Sequence, residues 1–590
     1  MKFSEMDASG READAAWLGW RGIFALVLVH FLGLASFFAP AISTPDANGY
    51  FAQARLIANE GRTEIVVESP AQYVGDHWMR VAEGRYYGQY PPGLPLLLAV
   101  VYRTLGATAS LWVIPVMGSL TLLATYLLTR EWFGVGWGLL ASGLMAVNPF
   151  ANAHALGADS HTAVSFFLLW GLFALTRWER IRSTGWAVVA GFCLGMIPTI
   201  RYAEALFLVP CAWLVLRNWR RSDGFGSLVA GVLAACVPIA CLATRNQAAF
   251  GAFWRTGYSV SGEQTGFGLG YFVRSFLPYL FLVATIGGFA TSVVGARGMV
   301  ELCRRPETRE RGWFLVGLVV PVTLLYMAYY WGADAKSMRF LLPTFYLHAI
   351  AAVGFLKLRA EADPVRGRKL VRWLLGATLV WGIPLSLWQL RPLQRDNAQL
   401  AAITVALENQ VEPGSVVIAS SGLLQHLDFV GRWRLAPEEA FDRSPRPDRP
   451  VGPPGRPEVE PPRPQAQPTP LERSRAFRDQ LAQWAGGTRK IYWISGLEPQ
   501  RRVAERLANL DDWRVVAEVT VDPRPPRPGR PPGPGPEDHE PAHEGPSPGG
   551  PPPPPGARRG PGGGGRGGPP PRFEPPPDGK LRIVEWTIRR

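Results

Sequence analysis

The residues of this chain best placed to do chemistry are charged groups at the ends of long apolar runs. The octet Ser43-Thr44-Pro45-Asp46-Ala47-Asn48-Gly49-Tyr50 begins where the first such run stops. Asp46 therefore sits at a membrane edge, with Tyr50 and Gln53 following at helical spacing. A carboxylate held there can act as general base toward a substrate that arrives in lipid. The plain alternative is that Asp46 merely caps a helix. A second acid, Asp159, lies in the stretch Asn148 to His161, just ahead of another apolar run. His161 beside it can serve as metal ligand or hydrogen-bond partner, and His154 and His161 can share a cation with Asp159. Here too a helix cap, by Asp159 or Ser160, explains the residues equally well.

Four cations in three stretches accompany these acids. Arg201-Tyr202-Ala203-Glu204 lies between two apolar runs, and its simplest reading is an internal ion pair. Arg245-Asn246 opens a loop that continues through Phe250 to Tyr258, and Lys336-Ser337-Met338-Arg339 completes the set. Arginine suits bidentate phosphate contacts and lysine supplies a point charge. Gathered near one interface, such groups suit a lipid-linked phosphate.

The elements that must position these residues are transmembrane helices. The chain has 590 residues, 47% of them hydrophobic and 22 of them Trp, but its halves differ. Up to Leu390 it is a series of apolar runs; beyond that it is polar and rich in Pro and Gly. Runs at 17–38, 111–128, 135–147, 162–176, 186–200, 203–216, 227–243, 272–294, 313–330, 340–356 and 373–388 predict about eleven transmembrane helices. The expected class is thus a mainly α, polytopic membrane protein.

Loop charge orients it. Arginine and lysine clusters at 177–182, 217–221, 297–311 and 357–372 all fall on one side of these spans, which marks that side as cytoplasmic. Residues 1–16 share it. The apolar stretch Pro91 to Leu105 is short and begins with three prolines, and a crossing there would put every later basic cluster outside. It is therefore expected as an interfacial or re-entrant helix, 91–105, within one long external loop, 39–109. By the same parity Asp46, Asp159, Arg201, Arg245 and the segment 331–339 share the external face.

Other functions find less support. The net charge of +14 comes from arginines in short loops and in the tail, without the aromatic interleaving of a nucleic-acid site. No phosphate-binding glycine loop is present, Gly266 to Gly270 does not fit a dinucleotide site, and no Asp-x-Asp pair suggests a nucleotide sugar. The five cysteines lie in or beside apolar runs and give neither a disulfide framework nor a zinc spacing. Glu5, Asp7, Glu12 and Asp14 make a poor leader, although Ala39-Pro40-Ala41 has the form of a cleavage site. Either way Asp46 emerges on the far side.

Residues 391–590 are expected to form a small extracytoplasmic α/β domain. Strands are predicted at 415–420, 490–494, 513–521 and 580–588, with helices at 471–484 and 501–510. Two insertions, 444–470 and 523–578, are too rich in Pro, Gly and Arg to build a core and are expected to be disordered.

Taken in order, these motifs resemble a known family. Asp46 with Tyr50, Gly84-Arg85-Tyr86-Tyr87-Gly88-Gln89-Tyr90-Pro91-Pro92-Gly93-Leu94-Pro95, Ala158-Asp159, Phe250-Gly251 with Thr256-Gly257-Tyr258, and Arg339-Phe340-Leu341-Leu342-Pro343 are similar to polyprenyl-phosphate-dependent glycosyltransferases of the GT-C fold. Among these the chain is most like bacterial relatives of protein O-mannosyltransferases and of the lipid A aminoarabinose transferase. The resemblance covers about 17–388 and implies a hexosyl- or pentosyltransferase of the inner membrane, its site extracytoplasmic. It implies Asp46 as the first-loop catalytic acid, acting by inversion, and Asp159 as the second-loop acid. Arg201, Arg245, Lys336 and Arg339 become candidate donor-phosphate contacts, and Tyr50, Tyr87, Tyr90, His161 and Tyr258 candidate substrate contacts. A polyprenyl-phosphate-linked sugar is the implied donor, with an envelope lipid, glycan or protein as acceptor and the question of a divalent metal left open. The Asp-Glu pair common in the first loop of better-known members is here Asp46-Ala47. That change leaves room for a different acceptor geometry.

Two other classes compete. A transporter or flippase of a polyprenyl-linked sugar also wants phosphate-binding cations, but should show internal repeats and helices broken in mid-span. The sequence has no repeat, and its charges lie at span ends. A glycan polymerase or ligase of similar topology differs chiefly in the size of donor and acceptor.

Overall fold

The computed structural model describes residues 3–75, 77–157, 159–219, 225–262, 266–428, 430–442, 469–506, 511–521, 573 and 575–588. Most of the two expected insertions, and Arg220 and Arg221 of one basic cluster, lie outside the described residues.

The first long helix is α1 (Phe3–Phe37), followed by α2 (Pro45–Glu60). Three short strands, β1 (Glu64–Val66), β2 (Trp78–Ala82) and β3 (Arg85–Gly88), form an antiparallel sheet in the order β1-β3-β2. Next come α3 (Gly93–Leu105), α4 (Ala107–Leu111), α5 (Val113–Phe133), α6 (Val135–Ala146), α7 (Pro149–Leu156), α8 (Ser160–Ile181) and α9 (Thr184–Ile200). A 3-10 turn, Ala203–Phe207, leads into α10 (Leu208–Trp219), α11 (Phe225–Phe250) and the short α12 (Gly257–Ser261). The helical region closes with α13 (Leu269–Leu282), α14 (Phe289–Arg304), α15 (Arg309–Met327), a 3-10 turn at Ser337–Leu341, α16 (Leu342–Ala362) and α17 (Pro364–Gln410).

Seven of the described helices are long and apolar enough to cross a membrane, or eight if α7 and α8, bent by 113°, are one span. This is a multi-pass membrane protein, but the length test does not return about eleven crossings. The runs expected at 135–147, 186–200 and 203–216 fold as helices of 12, 17 and 12 residues. These fall short of the roughly 20 residues that cross a bilayer upright. The run at 272–294 is two helices. A π turn at Val283–Gly287 follows α13, and Phe289 then takes a left-handed backbone (φ 47°) that no straight helix accommodates. The expected short helix at 91–105 is present as α3.

Helices pack closely where side chains are small. A Cβ on Gly191 of α9 would collide with the Gly231 carbonyl of α11, so these two helices touch through bare backbone. A single large apolar core spans α1 to α16.

The end expected for the membrane region, 390, falls inside a helix. Helix α17 has 47 residues, roughly 70 Å at helical rise, which exceeds the apolar thickness of a bilayer. Its last turns place Leu400, Ile403 and Leu407 in the core of the C-terminal domain. That domain is a five-stranded sheet in the order β5-β4-β6-β8-β7, built from β4 (Val416–Ala419), β5 (Arg434–Pro437), β6 (Ile491–Ser495), β7 (Asp511–Thr520) and β8 (Lys580–Ile588). Helices α18 (Ser421–Leu424), α19 (Pro470–Ala485) and α20 (Leu497–Arg506) accompany it. Strands β5, β4 and β6 run parallel; β8 is antiparallel to both β6 and β7. The unforeseen strand is β5, four residues ending in Pro437, which suits a sheet edge.

The domain does not stand apart from the membrane region. Ala52 and Leu56 of α2, Ile65 of β1 and Trp78 of β2 share one core with Val417, Leu423, Trp433 and Leu435. Glu68 receives Arg434 at 2.7 Å and Arg489 at 2.8 Å across the same seam.

Candidate active site

Helix α2 starts on Thr44, whose hydroxyl accepts from the Ala47 amide at 3.1 Å, with Pro45 in the first helical position. The cap is therefore Thr44. Asp46, one residue further in, has its carboxylate free for other partners while remaining next to the positive end of the helix. Its Oδ1 accepts from the Tyr90 hydroxyl at 2.8 Å and lies 3.0 Å from His77 Nε2. Its Oδ2 lies 3.4 Å from the Arg339 guanidinium. His77 Nδ1 is in turn 3.2 Å from the Tyr90 hydroxyl. Burial alone would raise the Asp46 carboxyl. The His77 hydrogen bond and charge, with Arg339 and Tyr90, outweigh it and hold the group well below the usual carboxylate range.

The small sheet delivers two of these partners. His77 lies in the turn before β2 and Tyr90 follows β3, and the Gln89 amide donates to the His77 carbonyl at 2.8 Å. Gly257 of α12 lies so close to the Gln89 backbone that any side chain there would overlap it. Tyr90 is buried, with its ring 4.7 Å from Tyr50, 4.9 Å from His77 and 6.3 Å from Tyr258. Burial, and then the charge of Asp46, push the Tyr90 hydroxyl well above its ordinary range; burial does the same for Tyr50. Both stay protonated and able to donate.

Asp159 is used differently. It is the N-cap of α8, accepting from the His161 amide at 2.7 Å, and His154 Nδ1 lies 2.6 Å from its other oxygen. The cap reading thus holds for Asp159. Burial would raise its carboxyl, but the His161 and His154 rings and Arg339 hold it well below the usual range. His161 is buried, 3.9 Å from Asp159 through Nε2, and its Nδ1 has no hydrogen-bond partner among the described residues.

Phe340 joins the two acid sites. His161 packs edge-on against its ring at 5.4 Å, while Arg201 and Arg339 lie over it at 5.5 and 5.2 Å. Tyr50, buried on α2, lies beside Ser160 and feels the charges of Arg201, Asp46 and Asp159. Arg339 is within electrostatic reach of both acids, and its Nε is buried with no partner among the described residues.

The remaining expected contacts are less central. Arg201 donates to Glu204 at 2.5 Å, to Ser160 at 3.2 Å and to Tyr326 at 3.4 Å, so its charge is met by a fully buried carboxylate. Arg245 is buried behind β3, donating to the Gly88 carbonyl and lying over Tyr87 at 5.9 Å and Phe250 at 4.9 Å. Tyr87 belongs to that cluster, its ring against Phe250 and Arg245, with Glu64 opposite it across the strand pair. Tyr258 lies between Tyr90 and Tyr202. Lys336 is exposed and makes no ion pair among the described residues. Among the described residues no group of three or more His, Cys, Asp or Glu side chains could hold a metal ion. The close pair is Asp159 with His154, and Asp46 is engaged by Tyr90, His77 and Arg339.

Sequence reasoning missed His77 and Asn48. Buried Asn48, two residues after Asp46, donates to the Gln425 and Leu427 carbonyls at 2.8 and 2.9 Å, and Arg55 pairs with Asp428. Helix α2 is thereby clamped to the C-terminal domain. The signals available were a histidine in the loop after the first apolar run and an Asn two residues after Asp46 on an alanine-rich helix.

The family model described as oligosaccharyl transferase STT3, N-terminal, matches residues 38–209, which contain both Asp46 and Asp159. No curated protein matches the sequence. Among solved structures, ArnT from Cupriavidus metallidurans bound to undecaprenyl phosphate has a TM-score of 0.53 at 15% identity, covering 85% of this chain and 96% of its own. The apo form of the same protein gives 0.52. The chain has a GT-C fold. The oligosaccharyltransferase of Archaeoglobus fulgidus in complex with Zn and sulfate also matches, with a TM-score of 0.48 at 14% identity over 80% of this chain and 68% of its own. The GT-C resemblance read from five short motifs is thereby borne out. So is the expectation of a helical membrane body with a small sheet-containing C-terminal domain.

Proposed function

We propose that this GT-C chain is a membrane glycosyltransferase that moves a sugar from a polyprenyl-phosphate donor to a hydroxyl acceptor of the cell envelope, at the extracytoplasmic face of the inner membrane. The observation that carries the reading is the meeting of Asp46 with Arg339, 3.4 Å apart in space and far apart along the chain. The family-model match over 38–209 and the undecaprenyl phosphate bound to the ArnT relative support the donor class.

In this scheme Asp46 Oδ2 takes the acceptor hydroxyl beside Arg339. The hydroxyl oxygen attacks the anomeric carbon from the face opposite the phosphate, so the centre inverts. The leaving phosphate gathers charge as the bond breaks, and Arg339, with an unused buried Nε–H, is placed to meet it. Arg201 serves chiefly to fix Phe340 and Ser160, its charge being spent on Glu204. The activated sugar phosphate supplies the driving force, so no nucleotide is needed.

The test is transfer of labelled sugar from endogenous lipid-linked donor to endogenous acceptor in membranes holding the full chain. Asp46→Asn should abolish transfer while undecaprenyl phosphate binding persists. Wild-type turnover in that variant would remove the base.

A further inference from the structure

Arg339 meets Asp46 from a piece of backbone with little regularity of its own. It is the middle residue of the 3-10 turn Ser337–Leu341, between α15 and α16. Such turns are short and their hydrogen bonds poorly aligned, so their placement depends on what fastens their ends. Ser337, Met338, Phe340 and Leu341 are buried, which fixes the inner side of the turn and leaves Arg339 as its one residue facing out. The far end runs straight into α16, whose first turn holds Pro343. The near end follows residues 331–336, all exposed or half-buried, with Gly332 in a left-handed backbone (φ 81°). The Arg339 amide donates to the Lys336 carbonyl at 3.2 Å, so its backbone moves with that near end.

Asp334 fastens the near end. Its Oδ1 accepts from the Ser337 amide at 2.6 Å, its own amide donates to Ser337 Oγ at 3.1 Å, and the Ser337 hydroxyl donates to the Asp334 carbonyl at 2.7 Å. The first open amide of the turn is thereby satisfied, and the loop is drawn shut. The start of the loop is pinned separately, by the Tyr330 amide donating to the Gly266 carbonyl at 2.7 Å and the Gly268 amide to the Ala328 carbonyl at 2.9 Å. Held at both ends, the loop keeps Trp331 beside the guanidinium. The Arg339 charge lies 5.8 Å from the centre of the Trp331 ring and 5.2 Å from that of Phe340, while Asp46 Oδ2 stands 3.4 Å away.

Resting on the transfer reaction proposed above, we propose that Asp334 is a positioning residue for Arg339: by closing the loop onto the turn, it holds the guanidinium where the leaving phosphate gathers charge. Asp334 acts on the reaction through Arg339 alone. A donor fixed in place beforehand needs no reordering as the bond breaks, and that is where such a contact gains its rate. The role uses the side-chain oxygen of Asp334 as a hydrogen-bond acceptor and makes no use of its charge. Asparagine can therefore fill it, and alanine cannot.

The test uses membranes holding the full chain, with labelled-sugar transfer and the Kd for added undecaprenyl phosphate as its two readouts. Asp334→Ala should lower transfer about tenfold and weaken undecaprenyl phosphate binding about fivefold, whereas Asp334→Asn should keep both within about twofold of wild type. Combination with Arg339→Gln shows whether the effect runs through Arg339. In that background Asp334→Ala should cost less than about twofold more. A full tenfold further loss there would overturn the assignment, as would an Asp334→Ala protein that transfers and binds like wild type, or an Asp334→Asn protein as impaired as the alanine variant. If Asp334→Ala does not fold, Ser337→Ala removes the two hydrogen bonds of the Ser337 hydroxyl and is judged by the same combination with Arg339→Gln. Loss of transfer in Arg339→Gln with Asp334→Ala at wild-type level rejects the positioning role and leaves the transferase reading standing. Wild-type transfer and binding in Arg339→Gln itself would reject the phosphate contact and the positioning role together.

Discussion

Two aspartates stand at the N-termini of two helices on the same side of this molecule, and they are built for different work. Asp159 spends its oxygens on the first turn of α8 and on His154, and 18% of its side chain is exposed. Asp46 leaves the capping of α2 to Thr44, keeps 34% exposure, and places its oxygens among a phenol, an imidazole and a guanidinium. A carboxylate saturated by backbone and imidazole holds a shape. One relieved of capping by its neighbour, with cations and proton donors around it, can hold and pass a proton. On the function proposed above, the Asp46 site carries the reaction chemistry and the Asp159 site supports it.

Several substitutions would break or sharpen that contrast. The largest effect after loss of Asp46 itself is expected for Arg339→Gln, because Arg339 touches Asp46 and has an unspent donor. Transfer should fall about 10²-fold, in the range of a lost charge-stabilising donor, with weakened undecaprenyl phosphate binding. Unchanged binding would move the phosphate elsewhere. Asn48→Ala comes next. It strips two buried carbonyls of their donor, a cost of about 1–3 kcal/mol, and should lower the melting temperature and loosen α2. Roughly tenfold slower transfer should accompany it, although Asn48 lies outside the charged network. Arg245→Met should be the mildest for chemistry. Its guanidinium serves the Gly88 carbonyl and two rings, so stability should suffer while the apparent donor KM stays within about twofold. A large rise in KM would return Arg245 to the phosphate.

Acid stability offers a separate check. Asp46 and Asp159 both have folded-state carboxyls lowered below their ordinary range, so each stabilises the fold fully above about pH 4. That stabilisation is lost as pH falls through the lowered folded values. Stability, followed by denaturant unfolding with tryptophan fluorescence, should therefore fall more steeply below about pH 4 in wild type than in a variant carrying Asn at both positions.

The sequence made the acids legible because each stands where an apolar run ends, and a charge at a membrane edge needs a reason. Arg339 was legible for the same reason, and the pairing of Arg201 with Glu204 was foreseen as the simplest use of that arginine. His77 was not legible. It reaches Asp46 through a sheet of strands three to five residues long, too short for alternation to announce. The Asn48 clamp joins residues 377 and 379 positions apart, a contact that local pattern cannot encode. The boundary expected at 390 falls inside α17, which runs unbroken from an apolar stretch into the core of the C-terminal domain, so no local pattern marks it. The count of about eleven crossings is not confirmed, because several of the apolar runs fold as short helices and one breaks at Gly288, where apolar composition says nothing of backbone direction.

The most direct test of the account sets the two aspartates side by side. Single-turnover transfer in membranes holding Asp46→Asn or Asp159→Asn isolates the chemical step, and Asn preserves the cap on α8. The account predicts a loss of at least about 10³-fold for Asp46→Asn and less than about tenfold for Asp159→Asn. Equal losses, or the larger loss at Asp159, would contradict it.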